Sequence, residues 1–404
     1  MKGPLAGIKV VELGSMVAVP KAARILADWG AEVIKVEPIK GEAWRVMGRA
    51  WKVPYDPDCN VLFQNENANK KSLALDLKTE QGKTVMKKLL STADIFITNN
   101  RMKALIPLGL DYESTIKINP KLVFCSFSGY GENGPDKDRA GLDVASFWAR
   151  SGMLVEWTYA GDTPFRPLPG VGDGASSYAL VGGILAALHQ RDTVGKGDKV
   201  SSSLLTVGLF ANSSGIVLGQ PQYGQKYPKS KFDQPYPTSP LYKTADQDWV
   251  LVSEPNWNGR YADIMRMLKL DHFIGDPRFS TVQATWENMK FIVGEMEEAF
   301  AKMTTEEATD GLTELDIAHE VLRNPNDVYK DEQAWANDYL REITLENGHK
   351  TVMPTSPIQF ESVPEREFNL APQLGADSVD VLKDIGYSDA EIEAMHAENI
   401  VLVK

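Results

Sequence analysis

The feature that most constrains this chain is the alternation of short β-rich runs with amphipathic helical ones through its first two hundred residues. IKVVEL (8–13) reads as a buried strand, AARILADWG (22–30) as a helix closed by Gly30, and EVIKVE (32–37) as the next strand. TEQGKTVMKKLLSTA (79–93) is helical, DIFITNN (94–100) is a strand, and LVFCSFSGYG (122–131) is a strand that runs into a glycine turn. Strands and helices in strict alternation pack best as a parallel sheet covered by helices. The expected fold class is therefore α/β with a Rossmann-like layout, which names no function by itself.

The pattern breaks between about 220 and 240 into QPQYGQKYPKSKFDQPYPTSP, an irregular connection rich in Pro, Gln and Tyr. Beyond it, DWVLVSEP (248–255) reads as a strand, and GRYADIMRMLKL and MKFIVGEMEEAFAKM read as helices. The expected division is a large domain over 1–221, a smaller α/β domain over 222–322 and a return to the large domain over 323–404. At 404 residues, with 43% hydrophobic and 24% charged residues, the chain can bury a large core without a metal or disulfide. A net charge of −12 argues against a general nucleic-acid surface. Cys59 and Cys125 stand far apart without a CxxC pair, which fits a reducing cytoplasm with both thiols packed as small apolar groups. The apolar segment near 202–219 is broken by Ser, Asn and Gly and is a poor membrane span, so a cytoplasmic location without membrane or nucleic-acid partners is expected.

Several familiar site patterns fail on inspection. Gly129, Gly131 and Gly134 have GxGxxG spacing after a strand, but Pro135 and the charged run DKDR follow, with no apolar helix for the third glycine to pack on. A turn that ends the strand is the better reading. The five histidines show no metal-binding spacing, and no GxSxG elbow or activated cysteine is visible. What remains is PLPGVGDGASSY (167–178), where Asp173 stands between Gly172 and Gly174 just before the helical pattern YALVGGILAALH. Two readings compete. Asp173 can cap the helix by accepting its orphan amides. Alternatively, Ser176 and Ser177 take the cap, the glycines leave room for a ligand, and Asp173 is a nucleophile beside the positive helix end.

Taken together, four stretches resemble the class III CoA-transferases. They are IKVVELG with the AxxxxADWGAEVIKVEP run (22–38), NENANKKSLALDLKTEQGK (65–83), DIFITNNRMKALIPLGLDYE (94–113) and PGVGDGASS. GAEVIKVEPIKGEAWRVMG, GYGENGPDKDRAGLDVASFWARSG and EQAWANDYL are most similar to the subgroup that moves CoA onto 2-hydroxy acids in amino-acid fermentation, the 2-hydroxyisocaproate and phenyllactate types. The resemblance implies a Rossmann-like large domain built from both chain ends, a smaller α/β domain, and an interlocked-ring homodimer. It implies an acyl-CoA donor and a carboxylic-acid acceptor as substrates, with no tightly bound cofactor. Asp173 would be the catalytic carboxylate. Val17, Ala18, Leu75, Lys78, Asn99, Asn100, Arg101 and Arg139 would contact CoA, whose phosphates suit cationic, multidentate partners.

The chain also departs from the family pattern. Pro38 and Pro107 stand where oxalate-using relatives have arginines, and Met102-Lys103 replaces a Pro-Gly, so Lys71, Lys137 and Arg139 are the expected substitutes at the phosphates. A glycine-rich shielding loop is missing between 220 and 260, which leaves Gly219 to Gly224 as the candidate cover. Met16, Trp44, Met47 and Trp148 are expected to line an apolar acceptor pocket. Two alternatives accompany this reading. A non-catalytic acyl-CoA-binding protein is one. The other is the sister α-methylacyl-CoA racemases, which need a histidine in a GHD triplet; here the triplet is Gly141-Leu142-Asp143, and leucine exchanges no proton.

Overall fold

The computed structural model describes residues 3–52, 60–363 and 368–404; Cys59 lies outside them, and Cys125 is buried as a free thiol. The chain forms two compact units. One comprises Met1–Met153, Arg166–Ser213 and Glu332–Lys404, and the other Leu154–Phe165 and Ser214–Asp331.

The first unit is built on seven strands: β1 (Lys9–Leu13), β2 (Glu32–Glu37), β3 (Lys71–Leu75), β4 (Ile95–Thr98), β5 (Val123–Ser128), β6 (Lys199–Ser203) and a late strand Val401–Leu402. In space they run late strand, β3, β2, β1, β4, β5, β6. All neighbours pair in parallel except the late strand, which pairs antiparallel with β3. The order reverses between β1 and β4, and such a reversal opens a crevice at the carboxyl ends of the strands. Helix α1 (Ala18–Asp28) follows β1, α2 (Val61–Asn67) precedes β3, and α3 (Glu80–Ser91) links β3 to β4. α1 starts earlier than the sequence pattern suggested because Pro20 is tolerated in a first helical turn. Val11, Ile34, Leu73, Phe96 and Phe124 of the sheet pack with Val85, Met86 and Leu89 of α3 and with Val381, Leu382, Ile392 and Met395 near the C-terminus.

β6 and the late strand carry weak sequence signals for different reasons. β6 is KVSSS, an edge strand of serines with little apolar pattern, of which Ser201 is exposed and Ser203 buried; the late strand has two residues, paired with Leu75 and Ala74.

In the second unit, β7 (Leu241–Lys243), β8 (Trp249–Ser253) and β9 (Ala318–Val321) form an antiparallel sheet. Helices Trp257–Met267 and Met289–Phe300 supply Tyr261, Ile264, Met265, Ile292, Val293 and Met296 to its core, along with Tyr242 and Val250. The strand-like stretch near 343–354 is a hairpin of β10 (Leu340–Thr344) and β11 (Lys350–Pro354), which belongs to the first unit.

Candidate active site

Both sequence elements thought to contact CoA meet at the crevice. The loop after β1 and the loop after β4 are tied by paired bonds: Ser15 N donates to Asn99 Oδ1 at 3.0 Å, and Asn99 Nδ2 donates to Ser15 O at 2.7 Å. Asn100 Nδ2 reaches Leu13 O at 3.3 Å and Thr98 Oγ1 the same oxygen at 2.8 Å. Val17 and Ala18 are buried at the start of α1, so they offer main chain rather than side chain. That start has no side-chain cap, and Pro20 carries no N–H, so the amides of Ala18 and Val19 are the ones left at the positive helix end.

A buried ionic network holds this loop from beneath. Lys35 Nζ lies 2.8 Å from Glu12 Oε1, 3.3 Å from Glu42 Oε1 and 3.1 Å from Gly14 O. Lys70 Nζ lies 2.7 Å from Glu12 Oε2 and 2.8 Å from Pro20 O, while Met16 N donates to Glu42 Oε2 at 3.0 Å. Burial alone would strip the Lys35 proton, but Glu12, Glu42 and Glu37 outweigh it and hold that proton more tightly than usual. Burial pulls Lys70 down to about 8 against the attraction of Glu12. Sequence reading missed these residues. Their signal was a charge set within each apolar strand, Glu12 in KVVEL and Lys35 in EVIKVE.

Arg101, Asn100 and Lys137 line one cavity of about 210 Å³ beyond β4 and β5, with Ser126, Ser128 and Glu132. Arg139 does not line it: its side chain is half exposed, lies 5.3 Å from the Tyr130 ring and pairs with Asp136. Lys71, an expected substitute at the phosphates, stands away from the crevice. It begins β3, at the opposite end from the crevice, and binds Glu32 at 2.6 Å. Leu75 is buried at the end of β3 beside Val401, so its side chain is closed to a ligand, and exposed Lys78 lies just past it. Both stand on the carboxyl edge, but β2 separates β3 from β1, a gap of about 10 Å. Met16, Trp44 and Met47 do come together, but they pack with Val17, Phe63 and Ala371 and fill one another's space. Trp148 stands apart, against Phe147.

Asp173 occupies the first turn of a long helix, Val171–Val194, that leads into β6 and packs beside α1. By length and apolarity this helix could cross a membrane, yet it connects β5 and β6 of one sheet. A crossover from the end of β5 to the start of β6 puts the helix N-terminus at the carboxyl edge. Gly170 precedes the helix at φ 116°, a value that side chains disfavour. Neither serine caps it. Ser177 Oγ donates to Gly174 O, and Ser176 Oγ is buried without a hydrogen-bond partner. The cap comes from Asp143, whose Oδ2 accepts from Gly170 N and Asp173 N, each at 2.9 Å. The amides of Val171 and Gly172, the first two of the helix, have no intrahelical acceptor.

The two glycines differ in role. A Cβ on Gly172 would lie 2.4 Å from Phe147 Cγ, so this glycine lets the helix sit on that ring. A Cβ on Gly174 would meet nothing within 4 Å, so the approach is open on that side. Burial first, then Asp143 and Glu66, push the Asp173 carboxyl up to about 7, with Lys21 pulling it down. Lys21 Nζ lies 3.4 Å from Glu66 Oε1, and Glu66 is itself pushed up by burial.

The site thus presents a half-buried carboxylate at a helix N-terminus, on the carboxyl edge of a doubly wound sheet, and comparison with known proteins supplies its family. Residues 5–378 match CoA-transferase family III. This chain belongs to that family. It is 36% identical over 400 residues to (R)-2-hydroxy-4-methylpentanoate CoA-transferase of Clostridioides difficile, covering 98% of this chain and 99% of the relative. It is 35% identical to cinnamoyl-CoA:phenyllactate CoA-transferase of Clostridium sporogenes, covering 99% and 97%. Among solved structures, Rv3272 of Mycobacterium tuberculosis superposes with a TM-score of 0.81 at 26% identity, covering 94% and 99%. A CaiB/BaiF family protein of Brucella suis gives 0.79 at 25%, covering 95% and 100%. The chain is thus a class III CoA-transferase with an α/β fold, and acyl-CoA thioesters are its substrates.

Proposed function

We propose that this class III CoA-transferase moves CoA from an acyl-CoA donor onto a 2-hydroxy acid of amino-acid fermentation, with Asp173 as the nucleophile. One observation carries the nucleophile: Asp173 sits on the first turn of a helix whose first two amides are unclaimed, with open space over Gly174. The similarity to the two 2-hydroxy-acid relatives supports the acceptor class.

The steps balance without an external acid or base. An Asp173 oxygen attacks the thioester carbonyl, the C–S bond breaks, and CoA leaves as thiolate, giving a mixed anhydride. The thiolate attacks Asp173 Cγ, and the donor acid departs as its carboxylate. The acceptor carboxylate then attacks the aspartyl thioester, expels the thiolate and forms a second anhydride. Thiolate attack on the acceptor's carbonyl makes the new thioester and frees Asp173. The Val171 and Gly172 amides can stabilise the oxyanions formed on the way. The crevice loops and Arg101 with Lys137 would hold the CoA phosphates. Leu142 is largely exposed and offers no base where a racemase needs one.

Homodimerisation belongs to the same proposal. Val171, Tyr178 and Val194 of the long helix, and Leu209 and Phe210 of the following helix Leu204–Ala211, are exposed apolar residues that a second copy would cover. Cytoplasmic residence is proposed on the same footing as the fermentation substrate.

Asp173→Asn should abolish CoA exchange yet leave CoA binding nearly intact; unchanged exchange would sink the nucleophile. Hydroxylamine added with an acyl-CoA donor should leave a hydroxamate on Asp173, and its mapping elsewhere would reassign the nucleophile. A panel of acceptor acids against one donor tests the substrate class, which fails if succinate or oxalate outpaces 2-hydroxy-4-methylpentanoate.

A further inference from the structure

Asp143 follows the loop after β5, is 3% exposed, and lies thirty residues before the aspartate it contacts. Its Oδ2 grips the site helix at two points, the amide just before the first turn and the amide of Asp173 itself, both at 2.9 Å. Its Oδ1 is buried and has no hydrogen-bond partner. Two hydrogen bonds to one oxygen fix the peptide from which the Asp173 side chain springs. A neutral amide could accept the same pair, but it would bring no negative charge to that spot. The charged groups that act on Asp173 come from three segments: Asp143 from the loop after β5, Glu66 from α2 and Lys21 from α1.

We propose that Asp143 is a positioning residue for the nucleophile: its two amide bonds orient Asp173, and its charge keeps that carboxylate reactive. This rests on the reading of Asp173 as nucleophile. A carboxylate destabilised by a like charge holds its proton to higher pH and attacks better once ionised. With Asp173 pushed up to about 7, exchange in the native protein should fall as pH drops through that region.

The test is exchange of label between free (R)-2-hydroxy-4-methylpentanoate and its CoA thioester, followed from pH 5 to 9. Asp143→Asn keeps an acceptor for both amides and removes the charge. Its acidic limb should move down by about one unit, with a plateau about threefold lower. Asp143→Ala loses the amide bonds as well, and its plateau should fall by on the order of tenfold or more. Thermal melting and CoA binding verify that each variant folds. An Asp143→Asn limb that stays at the native midpoint overturns the proposal, and so does a native limb near that of an ordinary carboxylate. The native limb needs no variant, so the proposal stays open to refutation even if Asp143→Asn does not fold. Normal exchange by Asp173→Asn would instead overturn the parent reading, whatever Asp143 does.

Discussion

At the scale of single residues, the proposed nucleophile is a carboxylate that its surroundings disfavour when ionised. Asp173 is half-buried, near Asp143 and Glu66, and offset only in part by Lys21. A carboxyl whose folded value is raised costs stability when ionised. That stability is present below the unfolded value near 4 and is lost as pH rises through about 7. Asp173→Asn should therefore melt higher than the native protein at pH 8 and at nearly the same temperature at pH 4. The gain at pH 8 should be on the order of 1 kcal/mol, well below the full conversion of the shift because water still reaches the group. Equal melting temperatures at pH 8 would mean that Asp173 is not destabilised. Such a trade of stability for reactivity is common at catalytic positions.

At the scale of elements, the start of the site helix is set by its neighbours. Gly170 supplies the left-handed backbone, Asp143 supplies the cap, and Phe147 lies where a Gly172 side chain would be. Gly172→Ala must push the helix off Phe147, so it should destabilise the protein by about 1–3 kcal/mol and depress exchange. Gly174→Ala meets no neighbour and lies inside a helix, so it should melt no lower and up to about 1 kcal/mol more stable. If both variants melt alike, the packing account of Gly172 is wrong. The crevice loop follows the same logic from the other side. Lys35 and Glu42 bond the main chain of Gly14 and Met16, Lys70 bonds that of Pro20 at the start of α1, and Glu12 joins the two lysines, so charge buried under the sheet edge fixes the main chain at the crevice.

At the scale of the whole molecule, the first unit is closed by residues from the far end of the chain. Val401–Leu402 completes the sheet beside β3, and Ser378–Asp384 and Asp389–Ala397 cover it. The exposed apolar residues of the long helix and of Leu204–Ala211 remain. Phe210 is 84% exposed, which few large apolar side chains in a folded chain are without a partner. In sedimentation the native protein should have a mass near twice the 44.7 kDa of one chain, and Phe210→Asp should lower that mass. A native mass of one chain would dismiss the dimer.

The sequence by itself determined the strand and helix alternation and the singular position of Asp173 between two glycines, because these signals are local. Periodicity and turn chemistry act over a few residues. It also carried the family, through four separated stretches that match as a set. The tertiary structure decided what distance hides. Ser176 and Ser177 gave way to Asp143 as the cap because the geometry of a helix end is completed by whatever lies across from it. Lys71 was placed at the end of β3 away from the crevice and paired with Glu32, neither of which its position in the sequence could show. The glycines around Asp173, alike in the sequence, divide into one that packs and one that stays open. A carboxylate's neighbours in space, rather than in the chain, set how tightly it holds its proton, and that is a property only the folded molecule possesses.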